Sequence, residues 1–144
     1  MKMHNDGRES ARRGRWGEEC AARYLEARGY EILERNVRPV ARDRRLEIDI
    51  VAFDEKRDVL VFVEVKQHAA RSDFARRLRS IDKGKLSRTR RACRAWLLKN
   101  GWTAGFRFDV VEIYGVPEGG QPEIDHIERV RLFCGREVFV DWSM

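Results

Sequence analysis

Apolar positions along this 144-residue chain follow two periods. Trp16, Cys20, Ala21, Tyr24 and Leu25 recur at helical spacing and form one stripe, which stops at Gly29, a natural C-terminal cap. Tyr30 to Arg35 reads as a short strand, and Pro39 with the charged run Arg42 to Arg45 reads as a loop. From Leu46 to Phe53 the period becomes two: Leu46, Ile48 and Ile50 share one face, Glu47, Asp49 and Val51 the other. A charged turn, Asp54 to Asp58, leads into Val59 to Lys66, where Val59, Val61, Val63 and Val65 alternate with Leu60, Phe62, Glu64 and Lys66. The two runs predict a hairpin. The second is apolar on both faces until its end, which predicts a central strand.

Residues 71 to 80 form an Arg-rich connection. From about Ile81, the positions of Leu86, Ala92, Cys93, Trp96 and Leu97 suit a second helix ending near Asn100 and Gly101, with Lys83, Lys85, Arg88, Arg90, Arg91 and Arg94 on its other face. Phe106 to Tyr114 is a further strand, residues 117 to 122 a flexible loop, and Ile124 to Phe133 a last short strand. The first 13 residues are polar, basic and without period. The expected organisation is therefore a flexible basic arm (1–13), one α/β domain (14–133) and a tail without assignment (134–144), since a chain of this length supports a single core.

Composition adds a partner class. Hydrophobic residues make up 42% and charged residues 38%, enough apolar content for a core under a densely charged surface. The formal net charge of +6 is unevenly placed: residues 66 to 107 hold 13 basic and 2 acidic side chains, beside residues 46 to 65 with 2 and 6. Such a basic segment points to a polyanion, DNA or RNA, because each Lys or Arg on a phosphate releases counterions. A solvated helix face is the plain alternative. Cys20, Cys93 and Cys134 are scattered and make no zinc pattern, which suggests a reducing compartment. No run approaches the roughly 18 apolar residues of a membrane span, so a cytoplasmic protein without a membrane partner is expected.

Two apolar strands that end in charge require a reason, because a buried unpaired charge costs several kcal/mol. Asp49, Glu64 and Lys66 are those charges. With the hairpin closed at Asp54 to Asp58, Asp49 comes toward Glu64. Two carboxylates and a backbone carbonyl such as that of Val65 offer the oxygen half-shell that Mg²⁺ (or Mn²⁺) accepts, and Lys66 projects from the same face as Glu64 to orient an attacking water. A Glu64–Lys66 ion pair, with Asp49 bonded to a backbone N–H, is the structural alternative; a D…ExK pattern alone is weak. His4, His68 and His126 are scattered and no Ser or Cys occupies a nucleophile motif, so hydrolysis without a covalent intermediate is the chemistry expected.

Several segments, in order, resemble the small YraN-like bacterial proteins, themselves similar to Holliday junction resolvases of the PD-(D/E)XK nuclease superfamily. They are GRWGEECAARYLEARGYEILERNVR (Gly14 to Arg38), LEIDIVAFD (Leu46 to Asp54), LVFVEVK (Leu60 to Lys66), the basic helix, and RFDVVEI (Arg107 to Ile113). The resemblance implies a restriction-endonuclease-like core, a mixed central β-sheet flanked by helices, with Asp49, Glu64 and Lys66 as metal-binding and water-positioning residues. It places Glu18 where related resolvases carry a helix-one glutamate that joins the metal site; read alone, Glu18 is a first-turn acid facing solvent. Glu47 is expected to play a supporting role. Relatives carry Gly at Leu46 and often Arg two residues after the lysine, where this chain has Gln67 and His68. His68 is therefore expected to be a polar surface residue rather than a metal ligand.

The resulting expectation is an Mg²⁺-dependent endonuclease on branched DNA, with Lys83, Lys85, Arg88 and Arg91 contacting phosphates. Two alternatives stay open: a non-catalytic nucleic-acid-binding module, and an adaptor using Trp102, Phe106 and Trp142. A homodimer would suit the two symmetric scissile bonds of a four-way junction, but nothing in the sequence fixes the oligomeric state.

Overall fold

In the computed structural model, which describes residues 2–71 and 83–131 (side chains of 2–6 and 83 excepted), helix α1 spans Lys2–Ala27. The stretch expected as a flexible arm, residues 1 to 13, is thus helical from Lys2. Apolar periodicity could not reveal this, because that part of the helix is held by charge. Glu9 pairs with Arg12 at 2.7 Å and Arg13 at 3.2 Å, one turn away, and Arg12 reaches Glu118 at 2.9 Å. Pairs at this spacing support a helix by a few tenths of a kcal/mol each. Gly29, at φ +92°, turns the chain out of the helix in a conformation that favours glycine.

The strands are β1 (Tyr30–Val37), β2 (Ile48–Asp54), β3 (Val59–His68), β4 (Phe106–Tyr114) and β5 (Glu123–Ile127), and helix α2 (Lys83–Lys99) lies between β3 and β4. They form a five-stranded mixed sheet in the order β1-β2-β3-β4-β5. The first three pair antiparallel, β3 and β4 pair parallel, and β5 returns antiparallel to β4. The parallel pair requires a crossover, and α2 lies in it. β3 is central, as its two apolar faces predict. It runs past Lys66 to His68 because its parallel partner continues to Tyr114. β5 stops at Ile127, short of the expected Phe133; Arg129 adopts φ +56° and the Val130 N–H turns to the Phe108 carbonyl.

Each face of the sheet packs a helix. Leu60, Phe62, Phe106 and Phe108 meet Ala92, Cys93 and Trp96 of α2. Val61, Val63, Val111 and Ile113 meet Ala21, Ala22 and Leu25 of α1. Each fully buried aliphatic or aromatic side chain contributes about 1.5–3 kcal/mol, so these two cores, rather than surface ion pairs, hold the layers together.

In two places the strict alternation of a strand breaks. Register in β1 shifts between Ile32 and Glu34, which brings Glu34 opposite Val51 and lets it accept the Trp96 indole N–H at 2.8 Å. At β2, Ile48 and the preceding Leu46 join Val51 in the α2 core while Ile50 and Ala52 join the α1 core. The expected shared face of Leu46, Ile48 and Ile50 is therefore corrected: the chain changes face beside Asp49.

Candidate functional site

The β2–β3 ladder ends at Ile50↔Val63, one residue short of an Asp49↔Glu64 pair. There the Asp49 side chain replaces the backbone: its Oδ2 accepts the Val65 N–H at 2.8 Å. Burial, and next the nearby Glu64 carboxylate, push the Asp49 carboxyl up to about 7, against the pull of the Val65 hydrogen bond. The hairpin thus brings Asp49 and Glu64 together at the point where the sequence puts charge into apolar strands.

Glu18 approaches from α1. Burial, then Glu47, raise its carboxyl above the ordinary range, with a smaller contribution from Glu64, while the Asn36 side chain hydrogen-bonds it. α1 comes this close because Gly17 sits against β3; a Cβ there would lie 3.0 Å from Cβ of Gln67. Glu47 leans outward, 3.6 Å from Arg38. Glu18 is therefore a half-buried acid within electrostatic range of Asp49 and Glu64, not the solvent-facing first-turn residue of the local reading.

Glu64 is answered from α2, where the Lys85 ammonium lies 2.8 Å from its Oε1. Lys85 is thereby set apart from Arg88 and the exposed Arg91; Lys83, whose side chain lies outside the described residues, cannot be placed with them. Glu64, Lys66 and Lys85, with Leu86, Thr89 and Phe108, line a small crevice of about 40 Å³ between α2 and the sheet.

Periodicity gave no hint of what lies further along this face. His68 Nε2 is 3.0 Å from Glu112 Oε2, which also accepts the Tyr114 hydroxyl at 3.0 Å. The imidazole stacks on the Tyr114 ring at 5.4 Å. His68, expected at the surface, is held in a buried carboxylate and aromatic setting because β3 and β4 run on together.

Asp49 and Glu64 are an oxygen-only pair, one oxygen of Asp49 already tied to the backbone. Among the described residues, no three His, Cys, Asp or Glu side chains form a ready metal cage. Such a pair fits a hard cation that keeps several waters and takes the rest of its shell from a substrate phosphate, as Mg²⁺ does, and does not suit an all-protein cage.

The larger concavity, about 840 Å³, lies elsewhere, on the α1 face near the β2–β3 turn, and is lined by Tyr24, Arg28, Tyr30, Lys56, Arg57 and His126 among others. Beneath it Arg107 donates to Asp54 at 3.0 Å, to Asp109 at 3.1 Å and to the Tyr30 hydroxyl; Asp109 is also 2.7 Å from His126 Nε2 and accepts the Arg129 N–H at 3.0 Å. Burial opposes ionisation of Asp109, but the bonds from His126, Arg107 and Arg129 outweigh it and hold its carboxyl below the ordinary range. Charges at alternate positions of an apolar strand, Arg107 and Asp109, were the sequence signal for this network. Its partners satisfy one another, which marks it as an internal brace.

Comparison with known proteins gives a family. Residues 17–113 match the model of the uncharacterised protein family UPF0102. A UPF0102 protein of Pelotomaculum thermopropionicum is 40% identical over 116 residues, covering 80% of this chain and 91% of the relative. One from Streptomyces griseus is 39% identical over 119 residues (81% and 93%), and one from Bacteroides thetaiotaomicron 38% over 115 (80% and 88%).

Proposed function

This chain belongs to the UPF0102 family, the YraN-like group that its segments resemble, and from that premise we propose that it is a metal-dependent endonuclease that hydrolyses phosphodiester bonds in branched DNA. The observation that carries the reading is the Asp49 carboxyl, partly buried where the β2–β3 ladder ends, held by the Val65 N–H and set beside Glu64, a position that raises its pKa. A domain does not gain stability by placing two acids together in an apolar setting; a site that binds a cation does.

Asp49 and Glu64 would hold Mg²⁺ or Mn²⁺, with Glu18 joining from α1. The bound ion supplies Lewis-acid polarisation of the scissile phosphate and a more acidic water. Lys66, on the strand face of Glu64 and without an ion pair among the described residues, orients the attacking water and offsets charge as the pentacoordinate phosphorus forms. Arg88 and Arg91, one turn apart on α2, contact the phosphate backbone without reading bases.

The test is cleavage of labelled four-way junction, flap, single-stranded and duplex DNA with Mg²⁺, Mn²⁺ or EDTA. Metal-dependent products, reduced at least a hundredfold in Asp49→Ala and in Lys66→Ala, are expected, on the order of what removal of one stabilising group costs. Undiminished cutting by Asp49→Ala would refute the assignment. Binding without cutting under every condition would favour a non-catalytic module that keeps the same site geometry.

A further inference from the structure

Among the described residues, Lys85 is the one whose ammonium lies on a carboxylate of the candidate site, 2.8 Å from Glu64 Oε1. It reaches there from the first turns of α2, whose apolar face is seated against the sheet by Leu86, Ala92, Cys93 and Trp96. Burial works against its charge, but Glu64 and, further off, Asp49 outweigh that and hold the ammonium above the ordinary lysine range. Its head group therefore lies in the field of both acids, where a divalent cation would sit. Its side chain is half exposed, so a way out to solvent is open.

We propose that Lys85 is an exchangeable counter-cation: it occupies the Asp49–Glu64 site when metal is absent, is displaced by the incoming divalent ion, and then contacts a substrate phosphate. The inference rests on the nuclease reading of these two carboxylates and adds a role for a helix lysine. Ammonium and metal compete for the same oxygens, so the free energy of the Lys85–Glu64 pair is subtracted from metal affinity. Once displaced, the ammonium stands on the rim of a crevice shared with Lys66, whose lining includes Glu64 and Phe108. There it meets the anion that completes the metal's shell. Metal and nucleic acid then strengthen each other's binding, and by linkage the strengthening is mutual.

Mn²⁺ affinity of the DNA-free protein, measured by electron paramagnetic resonance of free Mn²⁺, tests the exchange without any turnover. Lys85→Gln is expected to tighten binding about two- to fivefold, the range of a half-exposed ion pair. Lys85→Arg should stay near wild type, and Lys99→Gln, which removes the same charge from the far end of the helix, should change affinity less than twofold. Equal tightening by Lys99→Gln would show a general charge effect and overturn the proposal, as would unchanged affinity in Lys85→Gln. Wild type that binds Mn²⁺ while Lys85→Gln binds it no better sinks the exchange and leaves the nuclease reading standing. Failure of every form to bind Mn²⁺ sinks both.

Junction binding supplies the second readout. Lys85→Gln should weaken it several-fold more in Ca²⁺, an oxygen-seeking ion, than in EDTA. An equal loss in both would overturn the transfer to phosphate. Circular dichroism melts of each variant establish that the fold is retained.

Discussion

Asp49 Oδ2 and the Val65 N–H, 2.8 Å apart, close the β2–β3 hairpin with a side chain where a backbone carbonyl would ordinarily stand. Asn preserves the acceptor and Ala does not. Asp49→Ala should therefore be about 1–2 kcal/mol less stable than Asp49→Asn in urea unfolding, although both remove the same charge. Equal stability would mean that the hydrogen bond adds nothing to the fold.

The same carboxyl sets a pH dependence. Its folded value, about 7, lies above the ordinary 3.8, so between those values the folded state binds more protons than the unfolded chain. Metal-free stability should thus fall as pH rises from 5 to 8 and flatten above, the raised Glu18 acting in the same sense. Asp49→Asn should remove most of the slope and be on the order of 1–3 kcal/mol more stable than wild type at pH 8. Mg²⁺ needs the deprotonated acids, so its affinity, read by calorimetry, should drop below pH 7. A melting temperature that rises steadily from pH 5 to 8 without metal would contradict this.

Gly17 sets how closely α1 approaches β3, a Cβ there standing 3.0 Å from Cβ of Gln67, an atom that cannot swing away. Gly17→Ala should cost about 1–3 kcal/mol by overpacking, and the displaced helix should carry Glu18 away from Asp49. Thermal unfolding gives the first effect. A weaker Mg²⁺ affinity than that of Gly14→Ala, where a Cβ meets nothing within 4 Å, gives the second.

Arg107 is buried among Asp54, Asp109 and Tyr30. Arg107→Met removes the cation shared by two buried acids, leaving Asp109 with His126 and the Arg129 N–H and Asp54 with Arg57, so a loss of about 3 kcal/mol is expected in urea unfolding. The double change Arg107→Met with Asp109→Asn should recover part of it. A cost under about 1 kcal/mol for the single variant would show that the network contributes little to stability.

Much of the fold was legible in the residue order. The Val59 to Lys66 alternation identified a central strand, the charged turn Asp54 to Asp58 a hairpin, and Trp16 to Leu25 the packed half of α1, because each depends on short-range periodicity and on turn chemistry. The resemblance carried by LEIDIVAFD and LVFVEVK pointed to Asp49, Glu64 and Lys66 before any coordinates. The helical extension through residues 2 to 13 was hidden, since charge pairs rather than an apolar stripe support it.

What only the tertiary structure decided lies where distant segments meet. Periodicity assumes an unbroken strand, so it could not foresee that β2 changes face beside Asp49. It treats α2 as a wheel of outward cations, so it could not set Lys85 against Glu64 and apart from Arg91. The hydrophobic pattern determines which faces are buried, a local property of spacing. Which charges share an interior depends on helix-to-sheet distance and strand register, and those are fixed only when all the layers close together.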